Sequence, residues 1–157
     1  MSKNETASKS GDRVRDVMTP NPQTVTEKES LQAVAKTMLD EDCGALPVVD
    51  QNKKIIGMVT DRDIVVRVVA QGKNPAHATV SDAMTKSAFS VREDDSLDSV
   101  FSLMSEKQVR RVPVVNQKEE IVGIITQADL AIEGDSSRKL AKTVEQISET
   151  SRQHTTN

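Results

Sequence analysis

Two four-residue stretches carry the polar groups best spaced for chemistry, Thr60-Asp61-Arg62-Asp63 and Thr126-Gln127-Ala128-Asp129. Each ends an apolar run, Ile55-Ile56-Gly57-Met58-Val59 in one copy and Ile121-Val122-Gly123-Ile124-Ile125 in the other. A threonine at a strand end can cap the helix that follows and still leave its hydroxyl near a phosphate. Unpaired amides in the first helical turn favour an anion at the same place. An aspartate three positions later can accept hydrogen bonds from both hydroxyls of a ribose. The same pairs also make sense with no ligand, as N-caps helped by a favourable first-turn charge. Local sequence leaves both readings open.

Charge separates the two copies. Arg110-Arg111 stands before Val112-Pro113, where the first copy has Gly44-Ala45 before Leu46-Pro47. A guanidinium fork suits phosphate through charge-assisted bonds. The alternative is a solvated arginine pair matched by acidic neighbours. Asp61-Arg62 stands where the second copy has Gln127-Ala128, so two ligand clefts would not be equivalent. Thr19 and Thr85 sit just before the first strand of each half, and Pro20 is matched by Lys86. Lys86 can approach phosphate or simply face water, and water is favoured.

The remaining reactive residue types suggest little. Cys43 has no histidine near it in sequence, His77 falls in a linker and His154 in a polar tail, so no metal site is indicated. The repeated methionines lie on helical faces and read as core filling. No nucleophile-and-base set has useful spacing, and the phosphate-loop glycine-lysine-threonine pattern is absent.

The elements that must position these residues repeat at one offset of 66. Met18-Thr19 recurs as Met84-Thr85, Val25 as Val91, Ser30-Leu31 as Ser96-Leu97, Met38 as Met104, and Pro47-Val48-Val49 as Pro113-Val114-Val115. A unit of that length is too short for a large core, so the halves should pack together. Val14 to Met18 can form a helical turn, and Pro20 and Pro22 then force an extended path. Thr24-Val25 is a short strand, and Ser30 caps a helix to about Glu41 with Leu31, Val34, Met38 and Leu39 on one face. Leu46 to Val49 and Ile55 to Val59 are strands about a turn at Asp50-Gln51-Asn52. A helix from Thr60 to about Gln71 is stopped by Gly72.

The second half repeats this with a strand at Val91 and a helical stripe of Leu97, Val100, Phe101 and Met104. Strands at Val112 to Val115 and Ile121 to Ile125 follow, then a helix from Thr126 to about Glu133. The short turns favour antiparallel hairpins, and the helical crossover permits a parallel neighbour. The expected domains are a tail over 1–13, a first repeat over 14–72, a linker over 73–79, a second repeat over 80–134 and a C-terminal helix and tail over 135–157. In that last segment Leu140, Val144 and Ile147 form a thin stripe.

Composition bounds the class. With 157 residues and a net charge of -3, one compact domain or a small pair fits, and nothing points to nucleic acid. No apolar stretch suits a membrane span, no secretory signal precedes the first repeat, and the single cysteine fits a reducing cytoplasm. Valine, isoleucine, leucine and methionine must build the core, since there is no tryptophan or tyrosine and only two phenylalanines.

The doubled pattern of Gly44-Ala45-Leu46-Pro47-Val48-Val49 with Gly57-Met58-Val59-Thr60-Asp61-Arg62-Asp63, then Arg111-Val112-Pro113-Val114-Val115 with Gly123-Ile124-Ile125-Thr126-Gln127-Ala128-Asp129, resembles a tandem cystathionine-beta-synthase (CBS) domain pair. The resemblance covers roughly Val14 to Ile132 and is nearest to small stand-alone bacterial and archaeal members. It implies a mixed α/β (α+β) fold in which two β-α-β-β-α repeats pack as a pseudo-twofold pair. It further implies a non-catalytic regulatory or sensor module that takes an adenine nucleotide, AMP-like ligands first, in clefts between repeats, with no required cofactor. The alternative is a ligand-independent interaction or scaffold module with vestigial clefts.

By the same resemblance Asp63 and Asp129 would hold ribose, with Thr60 and Thr126 beside them. Arg110 or Arg111 would meet phosphate, and Thr19 and Thr85 would line the base and ribose pocket. The partners implied are the nucleotide, a second copy of the chain and an unspecified downstream protein. The stripe of Ile64, Val65, Val68 and Val69 would serve both its own sheet and that second copy.

Overall fold

The computed structural model describes residues 11–86 and 89–131. In chain order the elements are α1 (Val14–Val17), β1 (Thr19–Pro20), α2 (Leu31–Asp40), β2 (Ala45–Val49), β3 (Ile55–Thr60) and α3 (Asp61–Ile64), which continues as a π-helical segment over Val65–Val69. Then come α4 (Val80–Ala83), β4 (Thr85–Lys86), β5 (Val91–Arg92), α5 (Leu97–Lys107), β6 (Arg111–Val115), β7 (Ile121–Thr126) and α6 (Gln127–Ala131). The mixed α and β composition agrees with the sequence reading. The expected C-terminal helix and tail over 135–157, and residues 1–10 of the expected N-terminal tail, lie outside the described residues.

Two compact units divide the chain, and neither is a linear repeat. One contains the segment up to Pro20, Val91–Val114 and the segment from Gly123; the other contains Asn21–Ser90 and Val115–Val122. The entry segment of each repeat is therefore exchanged. α1 and β1 belong with α5 and α6, while α4 and β4 belong with α2, β2, β3 and α3.

In the unit built on Asn21–Ser90, Ser30 Oγ accepts from the Ala33 amide at 3.2 Å and starts α2 as an N-cap. Leu31, Val34 and Met38 are buried on its inner face. Leu39, counted on that face from spacing, is instead 79% exposed. At 3.6 residues per turn it lies on the far side of Leu31 from Val34 and Met38. β2 is buried along its whole length and pairs antiparallel with β3, Ala45 opposite Thr60. The expected strand at Thr24-Val25 is a single parallel bridge, Val25 to Val48. The turn holds because Asp50 Oδ1 accepts from the amides of Asn52 (2.8 Å) and Lys54 (3.0 Å). Asn116 does the same for Lys118 and Glu120 in the second hairpin.

The helix expected from Thr60 to Gln71 changes character after Ile64. Ala70 N–H reaches back five residues to the Val65 carbonyl at 2.8 Å, the widened π pattern. Gly72, at φ +73°, ends the segment as anticipated. Ile64 and Val68 turn into a core with Val25, Leu31, Val34, Leu46, Val48 and Val59. Each such side chain contributes about 1.5–3 kcal/mol when fully buried.

The other unit holds a sheet of order β1-β7-β6-β5. Ser96 caps α5, whose Leu97, Val100, Phe101 and Met104 are buried as the spacing predicts. Gln108, left-handed at φ 54°, ends that helix. The methionines Met38, Met84 and Met104 are core residues.

Candidate functional site

Both threonine–aspartate pairs form reciprocal capping boxes. Thr60 Oγ1 accepts from the Asp63 amide at 3.1 Å, and Asp63 Oδ2 accepts from the Thr60 amide at 3.0 Å. Thr126 and Asp129 repeat this at 3.2 and 2.7 Å. The capping reading is thus correct at both places. It does not use up either carboxylate, because each box takes one oxygen of a group with about four lone-pair sites. Among the described residues Asp129 Oδ1 meets no donor, whereas Asp63 Oδ1 lies 3.8 Å from Arg67 Nε.

A third box, unnoticed in the sequence, sits at the start of α4, where the Thr79 amide donates to Asp82 Oδ2 at 2.8 Å. The threonine-x-x-aspartate pattern is therefore not by itself a ligand signature. What distinguishes the other two is the strand running into them. In β3, Gly57 and Val59 are buried and Ile56, Met58 and Thr60 are half-buried, as alternation requires. β4 adds Thr85 directly opposite Met58, so Thr85 shares the half-buried face with Thr60. β1 adds Thr19 opposite Ile124, two residues before Thr126.

Glycine makes these pairings possible. A Cβ on Gly57 would stand 2.5 Å from the Thr85 carbonyl oxygen, and one on Gly123 would stand 2.5 Å from Met18 Sδ and 3.0 Å from the Thr19 oxygen. The structure therefore groups Thr60, Asp63 and Thr85 in one unit and Thr126, Asp129, Thr19, Arg110 and Arg111 in the other.

Lys86 pairs with Gly57 and so points to the face opposite Thr85, and it is exposed. The Arg110 carbonyl accepts from the Gln127 amide at 2.8 Å, which fixes the arginine pair beside the Thr126 helix start. Gly44 and Asp61 make the equivalent bond at 3.0 Å. Arg110 and Arg111 are exposed, and neither has an acidic partner among the described residues.

Sequence reasoning missed two groups. Arg67 reaches Asp63, at the helical i,i+4 spacing that could have flagged it. Gln127 Nε2 is buried with no hydrogen-bond partner among the described residues, a condition that costs about 1–3 kcal/mol. Separately, Thr26, Lys28, Val49, Asp50, Asn52 and Ile56 line an open cavity of about 410 Å³ at the turn end of the β2–β3 hairpin. Cys43 packs half-buried against the core. No group of three or more histidine, cysteine, aspartate or glutamate side chains able to hold a metal ion occurs among the described residues. No helix among them is long and apolar enough to cross a membrane.

A doubled site at strand-to-helix junctions, repeated at constant offset, defines a tandem module. A family model for the CBS domain matches residues 14–70 and again 80–134. The chain belongs to the CBS domain family, as a tandem pair. It is 38% identical over 138 residues to the uncharacterized protein YlbB of Bacillus subtilis, covering 87% of this chain and 92% of that one. It is 40% identical over 117 residues to Hypoxic response protein 1 of Mycobacterium tuberculosis, covering 74% and 81%.

Among solved structures, that of Hypoxic Response Protein I with two coordinated zinc ions superposes at a TM-score of 0.71, with 38% identity over 77% of this chain and 98% of that one. The CBS domain pair of protein MJ0100, in complex with 5'-methylthioadenosine and S-adenosyl-L-methionine, gives 0.69 and 31% over 76% and 93%. CBSX2 in complex with AMP gives 0.65 and 28% over 76% and 93%.

Proposed function

We propose that this CBS pair is a regulatory module that binds an adenine nucleotide without catalysis, AMP-like ligands ahead of larger ones. The observation that carries the reading is the unspent oxygen of Asp129. The carboxylate is oriented by its own helix cap yet keeps one oxygen for donors such as the ribose hydroxyls. Thr19 on the adjoining strand, and the Gln127 side-chain amide and Arg110-Arg111 pair, neither with a partner among the described residues, supply groups suited to a ribose phosphate in the same unit as that helix start. Asp63, Thr60 and Thr85 form the analogous set of the other unit. Lys86 is left to solvent. The AMP-bound CBSX2 and the adenosyl ligands of MJ0100 support the ligand class.

A second reading, a scaffold with vestigial sites, draws on the Thr79–Asp82 box, which shows that capping alone can retain such a pair. Calorimetric titration with AMP, ADP, ATP and S-adenosylmethionine separates the two. Saturable heat with AMP tightest is expected. Flat titrations at millimolar ligand leave the scaffold.

The module acts as a homodimer in this proposal. Val65, Val66 and Val69 are 57, 46 and 54% exposed on one helical segment, an apolar face suited to a second copy. The regulated target is a separate protein.

A further inference from the structure

Arg67 lies on the π-helical segment that follows Asp63. Its Nη1 donates to two backbone carbonyls, Ala83 at 3.2 Å and Met84 at 3.1 Å. Those are the last residues before Thr85 enters β4. Carbonyls at a helix end lack intrahelical donors, and a cation there is favourable. The same guanidinium turns its Nε toward Asp63 Oδ1 at 3.8 Å. Asp63 Oδ2 is meanwhile held by the Thr60 amide. One rigid planar group thus spans the carboxylate at the helix start and the backbone that presents Thr85.

The distances decide what this strap does. At 3.8 Å the Arg67–Asp63 contact is an ion pair and not a hydrogen bond, so Oδ1 keeps its lone pairs for another donor. The guanidinium is instead anchored by carbonyls, which keeps it from closing a bidentate bridge on the carboxylate. Asp63 is 17% exposed and Arg67 48%, so the pair sits at the edge of the core with the site still open to solvent. A lysine could not reproduce the arrangement, because its single ammonium lacks the fixed fork. The repeat offset puts Glu133 at the matching position of the second half, so the arginine is not duplicated.

We infer that Arg67 is a positioning residue for the Asp63 site, setting the carboxylate's orientation and its spacing from Thr85. This rests on the nucleotide reading above. The test is AMP calorimetry in an Asp129→Ala background, which leaves Asp63 as the aspartate site, with apo stability followed by urea unfolding. Arg67→Ala should weaken AMP binding at least fivefold, and Arg67→Lys should recover only part of the loss. In an Asp63→Ala background, Arg67→Ala should change the remaining AMP binding less than twofold. Should Arg67→Ala prove unfolded, Arg67→Lys carries the same comparison. Unchanged AMP binding by a folded Arg67 variant, or equal weakening with Asp63 present and absent, overturns the inference alone. A wild-type protein that takes no AMP overturns the nucleotide reading and this inference with it.

Discussion

Asp63, Asp82 and Asp129 do the same structural work, each accepting the amide of a threonine three residues earlier. Replacing any one by alanine should therefore lower the stability of the ligand-free protein by about 0.3–1 kcal/mol, the usual worth of a carboxylate in the first helical turn. Urea unfolding of the three variants checks this, and a variant with wild-type stability would show its box to be dispensable. Nucleotide affinity should not follow that equality. Asp129→Ala should lose more binding than Asp63→Ala, since the Arg110-Arg111 pair shares a unit with Asp129 and not with Asp63. A larger loss for Asp63→Ala would reverse that ranking. At this scale the sequence was readable for residue identity but only in part for partner. Thr60–Asp63 and Thr126–Asp129 could be picked out from a doubled run, and the i,i+4 spacing marks Arg67 as a partner of Asp63, whereas its reach to the Ala83 and Met84 carbonyls and the burial of the Gln127 side-chain amide depend on packing that no spacing rule states.

At the scale of elements, the strands β1 and β4 reach their neighbours only because Gly57 and Gly123 carry no side chain. Gly57→Ala would press a Cβ against backbone, the Thr85 carbonyl at 2.5 Å. Gly123→Ala meets chiefly Met18 Sδ, on a side chain that can turn away. Both variants should be destabilised, Gly57→Ala by about 1–3 kcal/mol and Gly123→Ala by less. Thermal unfolding of the two, side by side, would contradict this if Gly123→Ala proved the weaker protein. Ser30, Ser96, the two hairpins and the Gly72 stop were legible because each is a local rule of caps, turns and alternation. The exchanged entry segments were not, because pairing Thr19 with Ile124 spans more than a hundred residues and leaves no periodic trace. Nor was the π-helical segment, where Val68 is driven into the core while Val65, Val66 and Val69 stay out.

For the whole molecule, that valine face and the net charge of -3 bear on assembly. Roughly half of the apolar stripe read from sequence, Ile64 and Val68, covers its own unit, and the remainder is left for another surface. Val69→Glu should leave folding nearly unchanged, since the position is exposed, and should convert the expected dimer to a monomer. Light scattering at micromolar protein measures it. A wild-type monomer mass with and without nucleotide would remove the dimer.

The measurement closest to the central claim compares AMP binding by wild type, Asp129→Ala and Asp82→Ala in one calorimeter. Both variants lose a capping box, but only Asp129 shares a unit with Thr19, Gln127 and Arg110. A hydrogen bond to a charged group contributes about 1.5–3 kcal/mol, so Asp129→Ala should raise the dissociation constant at its site about tenfold or more. Asp82→Ala should bind as wild type does. Equal AMP affinity in all three proteins would contradict the account and reduce Asp129 to a helix cap.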